Sequence, residues 1–160
     1  MDVFYYWKDY SEDLKVGRVG HFRSTRAKLA ELAEGAPDYI WVFKTPKGQK
    51  GRLQLIGRLW CPANAIRLDP TGEGESRILY DPRHEASIRF ANSDTPEAVD
   101  AITAWVSRHF AASVRGNFQG ERGQLALRAQ PLTELRKFAA TLEAQPFLAS
   151  SEAEEETASS

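Results

Sequence analysis

Tyr39-Ile40-Trp41-Val42-Phe43 is the most strand-like stretch of this chain, an unbroken run of aromatic and β-branched residues of the kind that pack on a buried, pleated surface. Thr45-Pro46-Lys47-Gly48-Gln49-Lys50-Gly51 follows and is built from turn residues. Arg52-Leu53-Gln54-Leu55-Ile56-Gly57-Arg58-Leu59-Trp60 then alternates apolar and polar side chains. Strand, turn and strand read together as a hairpin, with Gly57 at a bulge or where another backbone comes close.

Working outward, Val3-Phe4-Tyr5-Tyr6-Trp7 reads as a second buried strand. Ser24 is placed to cap a helix through Ala33, with Leu29 and Leu32 on one face and Gly35 as its stop. Short strands are expected at Ala65–Leu68, Arg77–Tyr80 and Ser87–Phe90. Thr95-Pro96-Glu97 is a helix start, followed at helical spacing by Val99, Ile102, Val106 and Phe110, with Trp105 beside them. A glycine-rich segment, 115–124, precedes a last helix that opens near Pro131, carries Leu132, Leu135, Phe138, Ala139 and Leu142, and ends by Pro146. A β-rich first half and a helical second half predict an α+β fold: a small, strongly curved mixed or antiparallel sheet, or pseudo-barrel, with flanking helices.

At 160 residues the chain has the length of about one domain. Its 42% hydrophobic and 27% charged residues exclude wholesale disorder. The domain is expected over 1–148, with 149–160 as an acidic disordered tail. That tail holds four glutamates and no base, which leaves 21 bases against 18 acids in the rest. One cysteine, Cys61, excludes an intramolecular disulfide and a cysteine-rich zinc site, and points to a reducing, cytoplasmic setting. No apolar run approaches the ~18 residues of a membrane span, so no membrane partner is expected.

A search for catalytic signatures returns little. There is no P-loop, no Gly-x-Gly-x-x-Gly turn, no Gly-x-Ser-x-Gly elbow and no His-Glu-x-x-His helix. His21, His84 and His109 stand far apart, and none has a second ligand at metal-binding spacing. The expectation is a non-enzyme with no cofactor and no metal.

The bases are more informative. They fall in three blocks: Lys15, Arg18, Arg23, Arg26 and Lys28; Lys44, Lys47, Lys50, Arg52 and Arg58; and Arg122, Arg128, Arg136 and Lys137. The second spans the hairpin without an acid, and bases gathered on one face are the electrostatic footprint of phosphate binding. Aromatics flank these blocks. Phe4 and Trp41 read as core, whereas Trp7 and Tyr10, around Lys8 and Asp9 at a strand end, are placed to line a pocket for a base. In Arg115-Gly116-Asn117-Phe118-Gln119-Gly120, Asn117 and Gln119 can read a base edge and Phe118 can anchor the turn.

The run Phe4–Tyr10, then Gly20-His21-Phe22-Arg23-Ser24, Asp38–Phe43 and Leu53–Leu59, resembles the PUA-like superfamily. It is most similar to the EVE-like modules found ahead of HNH endonucleases in modification-dependent restriction systems. The segment 115–120 also resembles one in such modules, so the likeness covers mainly residues 3–60 and 115–128. The Trp-Asp-Gly-Val-Arg-Asn-type motif of better-described EVE proteins is absent. The resemblance implies a reader that holds a flipped, often modified, DNA base in an aromatic pocket, and not a catalyst; cleavage would need a separate nuclease or effector partner. It implies Trp7 and Tyr10 as cage residues with His21 and Ser24 as polar contacts beside them. Asn117 and Gln119 would approach the base or the gap it leaves, and Arg23, Arg26, Lys47 and Arg115 complete the nucleic-acid-binding set, with DNA favoured over RNA. Two alternatives stand beside this: a non-catalytic protein-interaction or regulatory module, and a small hydrolase with its site around His21 or His84.

Overall fold

The computed structural model describes residues 1–68 and 76–148, apart from the side chain of Arg26. Among these residues the elements run β1 (Asp2–Tyr6), α1 (Tyr10–Val16), β2 (His21–Ser24), α2 (Arg26–Ala33), β3 (Tyr39–Lys44), β4 (Gln54–Trp60), β5 (Ile66–Arg67), β6 (Ser76–Leu79), β7 (Ile88–Phe90), α3 (Pro96–His109), α4 (Ala111–Arg115), β8 (Gln124–Leu127), α5 (Ala129–Ala139) and β9 (Ala144–Pro146). A single turn of 3-10 helix, Gly120–Gly123, leads into β8. The acidic tail, 149–160, lies outside the described residues.

The expected α+β class holds. Six strands form one mixed sheet in the order β8-β1-β3-β4-β7-β9, and β2, β6 and β5 form a separate antiparallel sheet. Only β1 and β3 run parallel, joined by a crossover that carries α1, β2 and α2. The large sheet does not close into a barrel: β8 and β9 are its two ends and do not pair with each other.

Strand alternation divides the core in two. Phe4, Trp41 and Phe43 point to one face and pack with Ile102, Trp105 and Val106 of α3 and Leu132 and Leu135 of α5. Val3, Ile40 and Val42 point to the other, where they meet Phe22 and Ile78 of the small sheet and Leu29 and Leu32 of α2. Because both faces of β1 and β3 are covered, these strands read as continuous apolar runs. Each fully buried large side chain here contributes roughly 1.5–3 kcal/mol relative to an exposed one. The indole of Trp105 donates to the Pro131 carbonyl (3.0 Å) and the Leu53 amide donates to Thr103 Oγ1 (3.0 Å), which ties α3 to α5 and to the start of β4.

Gly57 combines both features expected of it. The β3–β4 register passes from Val42 opposite Gly57 to Phe43 opposite Leu55, so Ile56 is the extra residue of a bulge. A Cβ on Gly57 would lie 2.3 Å from the Ile88 carbonyl oxygen. Thr95 caps α3 as expected, accepting from the Ala98 amide at 3.2 Å.

Elsewhere the chain departs from its sequence pattern. Ser24 ends β2, and the cap of α2 is its neighbour Thr25, whose Oγ1 accepts from the Lys28 amide (3.1 Å). Three strands had no sequence expectation: His21–Ser24, which pairs antiparallel with β6, and two at the edges of the large sheet. Gln124–Leu127 pairs antiparallel with β1, sending Leu125 and Leu127 into the helix-side core and Ala126 against the other. Ala144–Pro146 pairs with β7 at the opposite edge, where a terminal proline is tolerated. Helix α5 starts at Ala129, so Pro131 sits in its first turn, where a missing N–H costs no helical hydrogen bond.

Candidate functional site

Strand β1 ends in two tyrosines, and each lines a different cavity. Tyr6 faces the helix side. Its ring stacks on Phe118 (centroids 4.9 Å apart, planes 10° apart), and its hydroxyl donates to Thr45 Oγ1 at 2.7 Å. Here the loop 45–51, which follows β3, and the turn 117–119 form the two walls of a groove of about 510 Å³. The groove lies at the carboxyl ends of the parallel pair β1 and β3, the end at which ligands collect in open sheets with parallel strands.

The turn wall is held in an unusual shape. Asn117 and Phe118 both have positive φ, 52° and 57°. Asn adopts this conformation readily, but for Phe it is a strained one. Burial of the Phe118 ring, its contact with Tyr6 and its amide bond to the Ser113 carbonyl (2.9 Å) hold it there. Gly123 lets the turn approach β1: a Cβ there would sit 2.4 Å from the Phe118 carbonyl oxygen and 3.1 Å from Tyr6 Cβ. The amides of Asn117 and Gln119 are left at the surface, with Gln119 Nε2 donating to the Asn117 carbonyl (3.1 Å). The loop wall contributes Lys47 and Lys50, both exposed, and no acid lines the groove. Among the described residues neither lysine has an ion-pair partner.

Tyr5 faces the other way, stacked on Phe22 (3.8 Å, 12°), beside a cavity of about 640 Å³. Asp9, Asp13, Arg18, His21 and Arg23 line it. Burial, then the charges of Asp13 and Asp9, push the Tyr5 phenol up to about 12. Burial, then Arg77 and Arg23, hold the His21 imidazole below its ordinary value. Asp13 is already engaged, accepting from the Trp7 indole at 2.8 Å and lying 4.0 Å from Arg18.

The structure therefore sorts the sequence-predicted residues into groups. Lys47, Asn117 and Gln119 share the first groove, and His21 and Arg23 share the second cavity. Trp7 and Tyr10 are in contact, edge to face at 5.1 Å, but Trp7 is only 2% exposed and packs among Phe22, Tyr80 and Phe147. It is a core residue, because the small sheet covers the face that the sequence pattern alone left open. Tyr10 is half-buried, with Lys44 Nζ 5.3 Å from its ring centre. Ser24 lies opposite Ser76 in the small sheet. Arg115 is exposed at the end of α4, and the side chain of Arg26 lies outside the described residues.

Sequence reasoning missed Tyr6 and Thr45. The signal for Tyr6 was present in strand alternation, which places it opposite to Tyr5; the pairing with Thr45 required the β1–β3 register. Other bases of the second block are occupied: Arg52 pairs with Asp100, and Arg58 lies over Tyr39 (4.2 Å). His84 stacks on Trp60 (3.9 Å) and accepts from the Ala86 amide, and His109 bonds Glu134. The thiol of Cys61 is buried, which pushes it up to about 12. Among the described residues no group of three or more His, Cys, Asp or Glu side chains could hold a metal, and no helix is long and apolar enough to cross a membrane.

No family model, curated protein or solved structure matches the chain.

Proposed function

We propose that this domain binds nucleic acid, holding backbone phosphate on Lys47 and Lys50 and an extruded base in the Tyr6 groove, with modified DNA bases as the favoured ligand. One observation carries the reading: the basic loop 45–51 and the amide-bearing turn 117–119, far apart in sequence, meet over a half-buried aromatic in one groove without an acid. Asn and Gln side chains present paired donors and acceptors to a base edge. Stacking on an aromatic offsets the few kcal/mol of extrusion with ~1–3 kcal/mol per base. The preference for a modified DNA base, and the EVE-like reading as a whole, rest on the sequence resemblance; the α+β layering around a mixed sheet is compatible with it. The hydrolase reading has less support, since among the described residues neither His21 nor His84 hydrogen-bonds a carboxylate and so neither has an oriented acid–base partner.

The test is fluorescence anisotropy on matched duplexes carrying unmodified, methylated and hydroxymethylated bases, with single-stranded DNA and RNA, at two salt concentrations. One duplex should bind more tightly than the rest at both salts. Lys47→Ala should weaken all ligands about equally and reduce the log–log salt slope by about 0.9. Asn117→Ala should remove the preference and leave the slope. Equal affinity for every ligand, with Asn117→Ala silent, would leave only generic electrostatic attraction and overturn the base groove.

A further inference from the structure

Helix α5 ends at Ala139 before it has covered the far part of the large sheet, and the residues that follow turn away into β9. A groove of about 450 Å³ remains between them, within the size range of small-molecule sites. Trp41, Ile88 and Phe90 wall it from the sheet, and Ala139 and Leu142 from the helix side. Into this apolar lining project two arginines, Arg58 and Arg136, and no acid lines it.

Arg58 is the unusual one. It is half-buried, directly opposite Trp41 in the β3–β4 ladder, with its guanidinium lying over Tyr39 (4.2 Å) and Trp41 (5.7 Å). One Nη donates to the Ala86 carbonyl (3.3 Å), whereas Nε is buried with no acceptor. No carboxylate pairs with it among the described residues. A cation taken partly out of water without a counter-charge is costly, and ring faces compensate only in part.

Arg136 has a poor partner. Its Nη2 lies 3.7 Å from Asp2 Oδ2, but Asp2 is fully buried behind the groove and already accepts from the Trp41 indole at 2.8 Å. Burial pushes the Asp2 carboxyl above its ordinary value and toward the neutral form, against the indole bond and the Arg136 charge. The groove thus presents two planar, fork-shaped donors in an apolar lining that contains no acid.

We propose that this groove is a binding site for a small carboxylic acid with an aromatic or aliphatic body, its carboxylate held by Arg136 and Arg58 and its body against Trp41, Ile88 and Leu142. A guanidinium binds a carboxylate through paired hydrogen bonds, and the slot favours a ligand with an apolar body over a bare inorganic anion. The site is separate from the Tyr6 groove and does not depend on nucleic-acid binding.

The experiment is a titration of the full chain with phenylacetate and octanoate, followed by two-dimensional amide and indole NMR. 2-Phenylethanol serves as the neutral counterpart of phenylacetate, and inorganic phosphate as the bare anion. At least one acid should bind saturably and shift the Trp41 indole and the residues around Ala139–Leu142, with the alcohol and phosphate at least tenfold weaker. Arg136→Gln, at an exposed position, should weaken the acid about tenfold or more while leaving the rest of the spectrum in place. Arg58→Gln should do the same if it folds. Equal binding of acid and alcohol, an unchanged affinity in Arg136→Gln, or no saturable binding of either acid would overturn the proposal.

Discussion

Tyr5 and Tyr6 are adjacent in sequence and stand in opposite surroundings. Tyr6 sits over a groove whose charged lining is Lys47 and Lys50, neither ion-paired among the described residues; Tyr5 sits beside a cavity where arginines and a histidine share space with Asp9 and Asp13. Both rings stack on a phenylalanine, so aromaticity does not separate the two places. Charge pairing does. Asp9 and Asp13 beside Tyr5 would repel a phosphate, and Asp13 already engages Trp7 and Arg18, whereas among the described residues no acid pairs with the lysines of the Tyr6 groove. A count of bases along the chain does not show this, because it weighs Arg18 and Lys47 alike.

The largest effect is expected at Trp7. As a fully packed core residue on the Tyr5 side, it should lose about 3–5 kcal/mol of stability on Trp7→Ala, measured by urea unfolding. A loss below about 1 kcal/mol would mean that the ring is a solvent-facing cage after all.

Gly123→Ala comes next and acts on the Tyr6 side. The new methyl meets the Phe118 carbonyl and Tyr6, so it should cost about 1–3 kcal/mol and displace the turn that carries Asn117. Unfolding curves should show the loss, and the NMR signals of 116–120 should move most. Wild-type stability with unmoved signals would show that the close packing of turn on strand is not required.

The charge contrast is sharpened by comparing Lys47→Ala/Lys50→Ala with Arg18→Ala. The double change should reduce the salt slope of nucleic-acid binding by about 1.8, at about 0.9 per phosphate. Arg18→Ala, already paired with Asp13, should change it far less. Equal slopes in the two variants would abolish the distinction between the cavities.

The smallest effect is at His21. Its unfolded form takes up a proton near 6.5, and its folded form only at lower pH, because burial and two arginines disfavour the charge. Between those values the unfolded chain binds more protons, so stability falls as pH drops below about 6.5. His21→Asn should flatten that part of the stability–pH curve; an unchanged slope would place His21 in free solvent.

The central hairpin and both long helices were legible because their signals are local. Trp41 and Phe43 on one side and Ile40 and Val42 on the other leave no polar face, and Thr95-Pro96 marks a helix start by chemistry alone. Strands β2, β8 and β9 were not legible. Gln124-Leu125-Ala126-Leu127 has no β-branched residue, and its conformation comes from pairing with β1, a strand distant in sequence. Of the candidate site, Lys47, Asn117 and Gln119 could be chosen by residue type, but nothing local said that they meet. Trp7 was misplaced because a strand pattern shows that two faces exist and not which of them another sheet will cover.

The α+β class, the strand alternation that sends Tyr5 and Tyr6 apart, and the positions where bases collect all follow from the order of the residues. Which bases are paired and which aromatics are buried follows from long-range packing, as Arg52 on Asp100 and Trp7 in the core show. Alternation and capping depend on neighbours a few residues away, so they can be read along the chain. Pairing and burial depend on residues brought together from distant parts of the chain: Phe118 against Tyr6, Asp100 against Arg52, and Phe147 against Trp7.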